Sequence, residues 1–167
     1  MTRLIIVAFT LLLSLNTIAQ HNNQNKGLVW HTDLKQANDV STAEKKPIFA
    51  FFTGSDWCGW CKKLQRDVFV KPAFIAWANK NVVLLELDFP RRKQLSPAQV
   101  KQNAELQQAF RVTAYPTIWL FTMAKDSVGE KYTITAKGKC GYPRGATPGK
   151  EEEKFISTAN AILANKK

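Results

Sequence analysis

The sequence has few of the residues that bind metals or that cross-link a small fold. Its 167 residues include three cysteines, two histidines and two methionines. Three cysteines are too few for the dense disulfide framework of a small secreted domain. A copper carrier is also disfavoured, because it would need methionine or histidine near its cysteines, and no histidine follows His31.

Beyond the N-terminus the sequence lacks any hydrophobic run long enough to span a bilayer, which takes about 20 apolar residues. The N-terminus itself carries Arg3, then an apolar run, then small residues ending at Ala19. This is the three-part pattern of a secretory signal peptide, and the alternative, an uncleaved membrane anchor, would need a longer run. We therefore expect a periplasmic or secreted protein with a signal peptide over 1–19, a flexible linker over 20–27 and one domain over 28–167.

Acidic residues are scarce relative to basic ones. The chain has 13 Asp and Glu against 24 Lys and Arg, for a formal net charge of +11. No basic helix carries the interleaved aromatic residues of a nucleic-acid surface, and an exported protein seldom meets nucleic acid. We expect a monomer with a solvated basic surface that favours acidic partners or an anionic membrane face, and no nucleic-acid partner.

Strand and helix patterns alternate along the chain. Apolar or alternating runs predict strands over 28–31, 47–53, 82–89, 117–122 and 131–139. Helical spacing predicts helices over 33–46, 58–70 with a resumption after Pro72 to residue 81, 97–112 and 149–167. This order predicts an α/β fold with a central mixed, mostly parallel sheet, helices on both faces and a final antiparallel pair of strands.

Two of the cysteines lie three residues apart, between a predicted buried strand and a predicted helix, in DWCGWCKKL. A zinc site of this spacing needs a second pair of ligands, and the only candidates are Cys140, His21 and His31. A permanent disulfide would close a very short loop and stabilise little. At a helix N-terminus, however, free N–H groups and the helix dipole stabilise a thiolate. The redox use is therefore favoured, with Cys58 as the exposed nucleophile of lowered pKa and Cys61 as the inward-facing resolving cysteine.

A proline immediately before a predicted strand supports the same interpretation. Pro116 in TAYPTIWLF stands at one of the few positions where a strand tolerates proline. A cis Tyr115–Pro116 bond is a specific hypothesis. The combination of WCGWCK with a later YPT resembles the thioredoxin family. The surrounding sequence resembles an exported branch similar to the C-terminal domain of the bacterial transmembrane thiol:disulfide interchange reductase.

The resemblance implies a thioredoxin fold and dithiol–disulfide exchange that needs no cofactor and no metal. Cys58 would be the attacking cysteine and Cys61 the resolving one. Pro116 would be the cis proline, with Tyr115 helping to hold substrate backbone beside the sulfurs. Gly141 would be the glycine at the end of the last strand, beside the active-site groove.

The sequence also gives expectations for four tryptophans and for the third cysteine. Trp57 and Trp60 are candidates for an apolar lip that binds substrate polypeptide, although Trp57 is equally suited to core packing, and Trp60 is expected to be exposed. Trp77 and Trp119 are expected in the core. Cys140 is either a regulatory or intermolecular thiol or a half-buried passive cysteine, and the passive role is favoured.

The chain departs from thioredoxins at the buried acid that serves the inner cysteine. Phe51 or Phe52 stands in its place, and Leu84 replaces the lysine that partners that acid. Among nearby acids, Asp88 is expected to end its strand and Glu86 to be partly buried. The sequence therefore assigns no proton acceptor.

The predicted function is an exported thiol–disulfide oxidoreductase that reduces or isomerises protein disulfides through the Cys58–Cys61 dithiol. Its partners would be disulfide-containing exported proteins and a membrane-bound thiol reductase as electron donor. The dipeptide Gly59–Trp60 differs from the Gly-Pro of general thioredoxins, and the direction of electron flow rests on the resemblance alone. The alternative is a thioredoxin-fold binding module or chaperone with incidental cysteines.

Overall fold

The computed structural model of the chain describes residues 27–125 and 132–165. The predicted signal peptide and linker residues 20–26 lie outside the described residues. None of the helices in the described ranges has the length and apolar character needed to cross a membrane.

The described elements follow the predicted order, with boundaries that differ by a few residues. In chain order they are β1 Trp30–His31, α1 Leu34–Glu44, β2 Ile48–Thr53, α2 Gly59–Leu64, a π-helical segment Gln65–Phe69, α3 Pro72–Asn81, β3 Val83–Asp88, α4 Pro97–Ala109, β4 Thr117–Lys125, β5 Tyr132–Cys140 and α5 Glu151–Ala164.

The strands form one mixed sheet in the order β1-β3-β2-β4-β5. β1 and β2 both pair with β3 in parallel, whereas β4 pairs antiparallel with β2 and with β5. Four of the five strands thus run in one direction, as predicted. The pairings are nevertheless divided equally between parallel and antiparallel, because the one reversed strand, β4, lies between two others. The predicted antiparallel final pair is confirmed.

The helix after the cysteines is not one regular α-helix, as the sequence predicted for 58–70. Its second half is the π-helical segment, where the N–H of Val70 donates to the carbonyl of Gln65, five residues earlier, at 3.1 Å. Pro72 then occupies the first turn of α3, a position that does not need its missing N–H. The chain is therefore interrupted twice between the cysteines and α3.

Helices cover both faces of the sheet. On one face α1 and α4 pack through residues such as Ala37 and Leu106. On the other face, α2, the π-helical segment, α3 and α5 surround an aromatic cluster centred on Phe49 of β2. Its ring centroid lies 5.9–6.4 Å from those of Trp30, Phe69, Phe74, Trp77 and Phe155. This cluster joins helices from distant parts of the sequence beneath the cysteine-bearing helix.

We expect Phe49→Ala to lower the free energy of unfolding by about 3–5 kcal/mol, because it leaves a cavity in a fully buried cluster. Urea denaturation followed by circular dichroism measures the change. Val100→Ala is the control, since Val100 is 55% exposed and its removal should cost no more than about 0.5 kcal/mol. Equal effects of the two substitutions would contradict the central role of the cluster.

Candidate active site

The two cysteines lie at the carboxyl end of β2. After the strand, the N–H of Cys58 donates to the carbonyl of Gly54 at 2.8 Å, which forms a tight turn. Cys58 is the N-cap of α2 and is joined to Cys61 by a disulfide, with the two Cα atoms 5.2 Å apart. The backbone N–H of Cys61 points at Cys58 Sγ from 3.1 Å. A donor in this position stabilises negative charge on the sulfur once the disulfide opens.

The exposure of the cysteines follows the predicted order but not the predicted degree. Cys58 is 5% exposed and Cys61 is fully buried. Cys58 is therefore the more accessible of the two cysteines, although it is also buried and belongs to the core cluster that contains Cys61.

Trp57 packs against its neighbours and is also partly exposed. A Cβ atom on Gly54 would come within 2.5 Å of its Nε1, so only glycine permits this close approach. The indole N–H donates to the Phe89 carbonyl at 2.8 Å, and the ring meets Tyr115 edge-on with centroids 5.8 Å apart. The side chain remains 37% exposed. Trp57 is thus packed on one side and presents a surface beside Cys58 on the other.

A basic loop, residues 90–93, covers the outer face of Trp57. The Arg91 guanidinium carbon lies 4.2 Å from the ring centroid. The Asp56 carboxylate fixes this loop, because it accepts hydrogen bonds from the N–H groups of Arg91, Arg92 and Lys93 at 2.6–3.3 Å. The N–H groups of Arg91 and Arg92 are the main reason that the pKa of Asp56 lies below its usual value. The sequence alone does not place this loop beside Trp57.

A second aromatic cluster surrounds Trp60, which is 49% exposed as predicted. Its ring meets Tyr142 edge-on with centroids 5.1 Å apart, and the Arg144 guanidinium carbon lies 5.5 Å from its centroid. The Tyr142 hydroxyl donates to Asp67 at 2.8 Å, and Asp67 also pairs with Lys63. The hydrogen bond from Lys63 is the main reason that the pKa of Asp67 is lowered. Sequence reasoning missed Tyr142 and Arg144, which lie beyond the last strand.

The predicted proline and glycine also meet. The Tyr115–Pro116 peptide bond is cis, as hypothesised. A Cβ atom on Gly141 would lie 3.1 Å from the Pro116 carbonyl oxygen, so glycine keeps this contact open. The Tyr115 hydroxyl accepts a hydrogen bond from Gln107 at 2.7 Å, and burial raises the pKa of Tyr115. Tyr115 connects this pair to Trp57, since the two rings meet edge-on.

Comparison with known proteins decides the family. Residues 34–131 match the thioredoxin-like domain family. The chain belongs to this family. The thioredoxin-like domain has the predicted thioredoxin fold, which a solved structure of DsbH oxidoreductase shares with a TM-score of 0.67 and 26% identity over 89% of this chain and 94% of that one. A solved thioredoxin from Thermus thermophilus, 14% identical, supports the fold alone with a TM-score of 0.56 over 83% of this chain and 89% of that one.

Two similar proteins of Chlamydia pneumoniae have names that indicate redox activity. The disulfide bond reductase DsbH is 36% identical over 83 residues, which are 50% of each chain. The thioredoxin-related protein DsbJ is 31% identical over 119 residues, 70% of this chain and 34% of that protein. The chain therefore spans about half the length of DsbH and about a third of the length of DsbJ.

The remaining tryptophans differ in burial. Trp77 is buried, as predicted, and its indole N–H donates to Asn160 at 2.7 Å. Trp119 is only half-buried and stacks on Phe110 with centroids 5.1 Å apart, so the prediction of a core position is wrong in degree. Its strand, β4, lies next to the edge strand β5, from which Lys139 Nζ lies over the Trp119 ring, 5.7 Å from its centroid.

No three His, Cys, Asp or Glu side chains in the described ranges come together as a metal site.

The two acids of β3, Asp88 and Glu86, have different environments. Asp88 ends β3, as predicted, and accepts hydrogen bonds from the N–H and hydroxyl of Ser55 at 2.8 and 2.6 Å. Phe51 packs in the same core cluster as both cysteines and lies opposite Glu86 in the sheet. Glu86 is partly buried, as predicted, and desolvation, followed by the charge of Asp88, raises its pKa.

We expect Glu86→Gln to raise the midpoint temperature of thermal unfolding at pH 7 and to leave it unchanged at about pH 3.5. A raised pKa means that folded Glu86 holds its proton more tightly than the unfolded chain does. Ionised Glu86 therefore costs stability as the pH rises through that pKa, and glutamine removes the cost. Calorimetry across this pH range measures the change, with exposed Glu105→Gln as control. A gain that is the same at both pH values would contradict this origin.

The third cysteine, Cys140, is half-buried at the end of β5, opposite Ile118. It packs against the core cluster that contains Cys58 and Cys61, and burial raises the pKa of its thiol to about 12. Because the thiolate is the reactive form, these features favour the passive role.

We expect iodoacetamide at pH 8 to alkylate Cys140 at least about tenfold more slowly in the native oxidised protein than in urea, because little thiolate forms in the folded state. The Cys58–Cys61 disulfide leaves Cys140 as the only free thiol of the chain in this state, so mass spectrometry follows one site. Cys140→Ser is the blank. Alkylation at equal rates in the two conditions would instead support a regulatory thiol.

Proposed function

We propose that the chain is an exported thiol–disulfide oxidoreductase that reduces or isomerises protein disulfides through Cys58 and Cys61. The observation that carries the proposal is the hydrogen bond from the Cys61 N–H to Cys58 Sγ within a bonded pair at a helix start. That arrangement stabilises the thiolate on the more accessible of the two sulfurs. The similarity to a protein named disulfide bond reductase supports the reducing direction.

In the reducing reaction, the Cys58 thiolate attacks one sulfur of a substrate disulfide. The substrate S–S bond breaks, its other sulfur leaves as a thiolate that takes up a proton, and a mixed disulfide joins Cys58 to the substrate. Cys61 then loses its proton and attacks Cys58 Sγ. The second substrate thiol leaves, and the Cys58–Cys61 disulfide forms. Two electrons have passed to the substrate.

The oxidised pair must then be reduced by a donor dithiol, which by exchange becomes a disulfide itself. We assign this role to a membrane-bound thiol reductase, consistent with the signal peptide expected over 1–19. Isomerisation needs no donor, because a substrate thiol attacks the mixed disulfide and regenerates the Cys58 thiolate.

The surroundings of the pair suit a polypeptide substrate. Trp57 and Trp60 present partly exposed rings beside the two cysteines. Because Gly141 has no Cβ atom, no side chain crowds its contact with the Pro116 carbonyl oxygen. We infer that substrate backbone lies against Tyr115 and Pro116 while its apolar side chains contact the tryptophans.

We expect Cys61→Ser to accumulate a mixed disulfide with a model substrate such as insulin, because the resolving attack is lost while the nucleophile remains. Cys58→Ser should form none and should lower catalysed insulin reduction to the uncatalysed rate. Cys140→Ser is the matched control and should keep wild-type activity. Non-reducing gels and mass spectrometry measure the adducts, and an equal yield of adduct from all three variants would contradict the assigned roles.

The reduction potential of the pair, measured by equilibration with glutathione, tests the direction. A reduction potential of about −270 mV is expected for a reductant. A potential of about −120 mV would indicate an oxidant that introduces disulfides. A pair that does not equilibrate at all would contradict the enzyme and favour the binding module or chaperone.

A further inference from the structure

We propose that the site selects disulfides whose cysteines are flanked by acidic residues, through Arg91 and Arg144. This inference rests on the proposed exchange at Cys58 and names the substrate class for it. Each arginine lies over one of the tryptophans that precede the two cysteines. Together they place two positive charges where the substrate polypeptide must approach.

The first arginine is held in place by its backbone. The Asp56 carboxylate accepts the Arg91 N–H at 3.0 Å, and the guanidinium carbon lies 4.2 Å from the Trp57 ring centroid. The side chain is exposed. A guanidinium that stacks on an indole still offers its planar N–H groups to a carboxylate.

The second arginine is fixed in the same manner on the other tryptophan. The Arg144 N–H donates to the Tyr142 carbonyl at 2.8 Å, and the Arg144 carbonyl accepts from Lys154 Nζ at 2.9 Å. Its guanidinium carbon lies 5.5 Å from the centroid of Trp60, and the side chain is exposed. The two guanidinium groups thus belong to separate aromatic clusters, one beside each cysteine.

Neither guanidinium forms an ion pair with a carboxylate within 27–125 and 132–165, the ranges that the structure describes. The two acids of these clusters are already engaged. Asp56 binds backbone N–H groups of the basic loop, and Asp67 binds Lys63, Arg66 and the Tyr142 hydroxyl. The two clusters together hold six lysines and arginines against these two carboxylates, namely Lys63, Arg66, Arg91, Arg92, Lys93 and Arg144. The surface around the cysteines therefore has a net positive charge. Carboxylates of a substrate are the complementary groups.

The test compares two peptides with the same intramolecular disulfide, one with glutamate on both sides of the attacked cysteine and one with glutamine. At about 20 mM salt we expect reduced wild-type protein to reduce the glutamate peptide about five- to tenfold faster in kcat/KM. The preference should fall below about twofold at 0.5 M salt, where the screening length is only a few ångströms. Equal rates for the two peptides at low salt would overturn the proposal.

The double variant Arg91→Gln/Arg144→Gln should lose the preference. Lys80→Gln/Lys101→Gln is the matched control, because it removes two charges from α3 and α4, and it should keep most of the preference. If both double variants lose it equally, the net charge of the chain is responsible and the proposal is wrong. Near-UV circular dichroism verifies that each variant folds.

Two further readouts separate this proposal from the proposed function. The rate with uncharged hydroxyethyl disulfide normalises the peptide rates of each variant, and its absence in the wild type would overturn the exchange activity. Independently, the glutamate peptide with both cysteines replaced by serine should quench the tryptophan fluorescence of the wild type more strongly than the glutamine peptide. Equal weak quenching by both peptides would overturn acidic recognition whatever the exchange assay shows.

Discussion

The burial of β2 on both faces is the constraint on which the rest of the structure depends. All six of its residues, Ile48–Thr53, are buried, and the strand pairs with β3 on one side and β4 on the other. Because both faces and both edges of this strand are covered, only the residues that follow its ends can reach solvent. Because β3 runs parallel to it, the carboxyl ends of both strands, Thr53 and Asp88, meet at the same edge of the sheet. The cysteine turn and the basic loop are therefore brought together by the sheet.

The contact between those two segments is then made by a few backbone groups. Gly54 has no side chain where the Trp57 indole lies, and the indole N–H reaches the Phe89 carbonyl on the other segment. Asp56 joins the same two segments in the opposite sense, since its carboxylate accepts N–H groups of 91–93. Hydrogen bonds therefore join the two segments in both directions. The result is a rigid support for Trp57 directly beside Cys58.

The sequence predicts those parts of the molecule that depend on local pattern. The strands and the placement of Cys58 at a helix start follow from the order of apolar and polar residues, and the cis bond before Pro116 follows from the family motif. The π-helical segment is not predictable in this way, because apolar spacing hardly distinguishes an i→i−5 bond from an i→i−4 bond. Cys58 is also far less exposed than the sequence predicts, because it belongs to a core cluster whose other members are distant in sequence.

The clusters around Trp57 and Trp60 belong to the same unpredictable class, since each depends on contacts over more than 30 residues of sequence. Composition gives a net charge of +11 but cannot say which positive charges lack partners. In the fold, Asp56 and Asp67 are the acids nearest the cysteines in sequence, and both are engaged in holding loops and helices. Within the described ranges neither carboxylate forms an ion pair with Arg91 or Arg144, and the cations around them outnumber these two acids. The basic character of the site is therefore a consequence of how its own support is built.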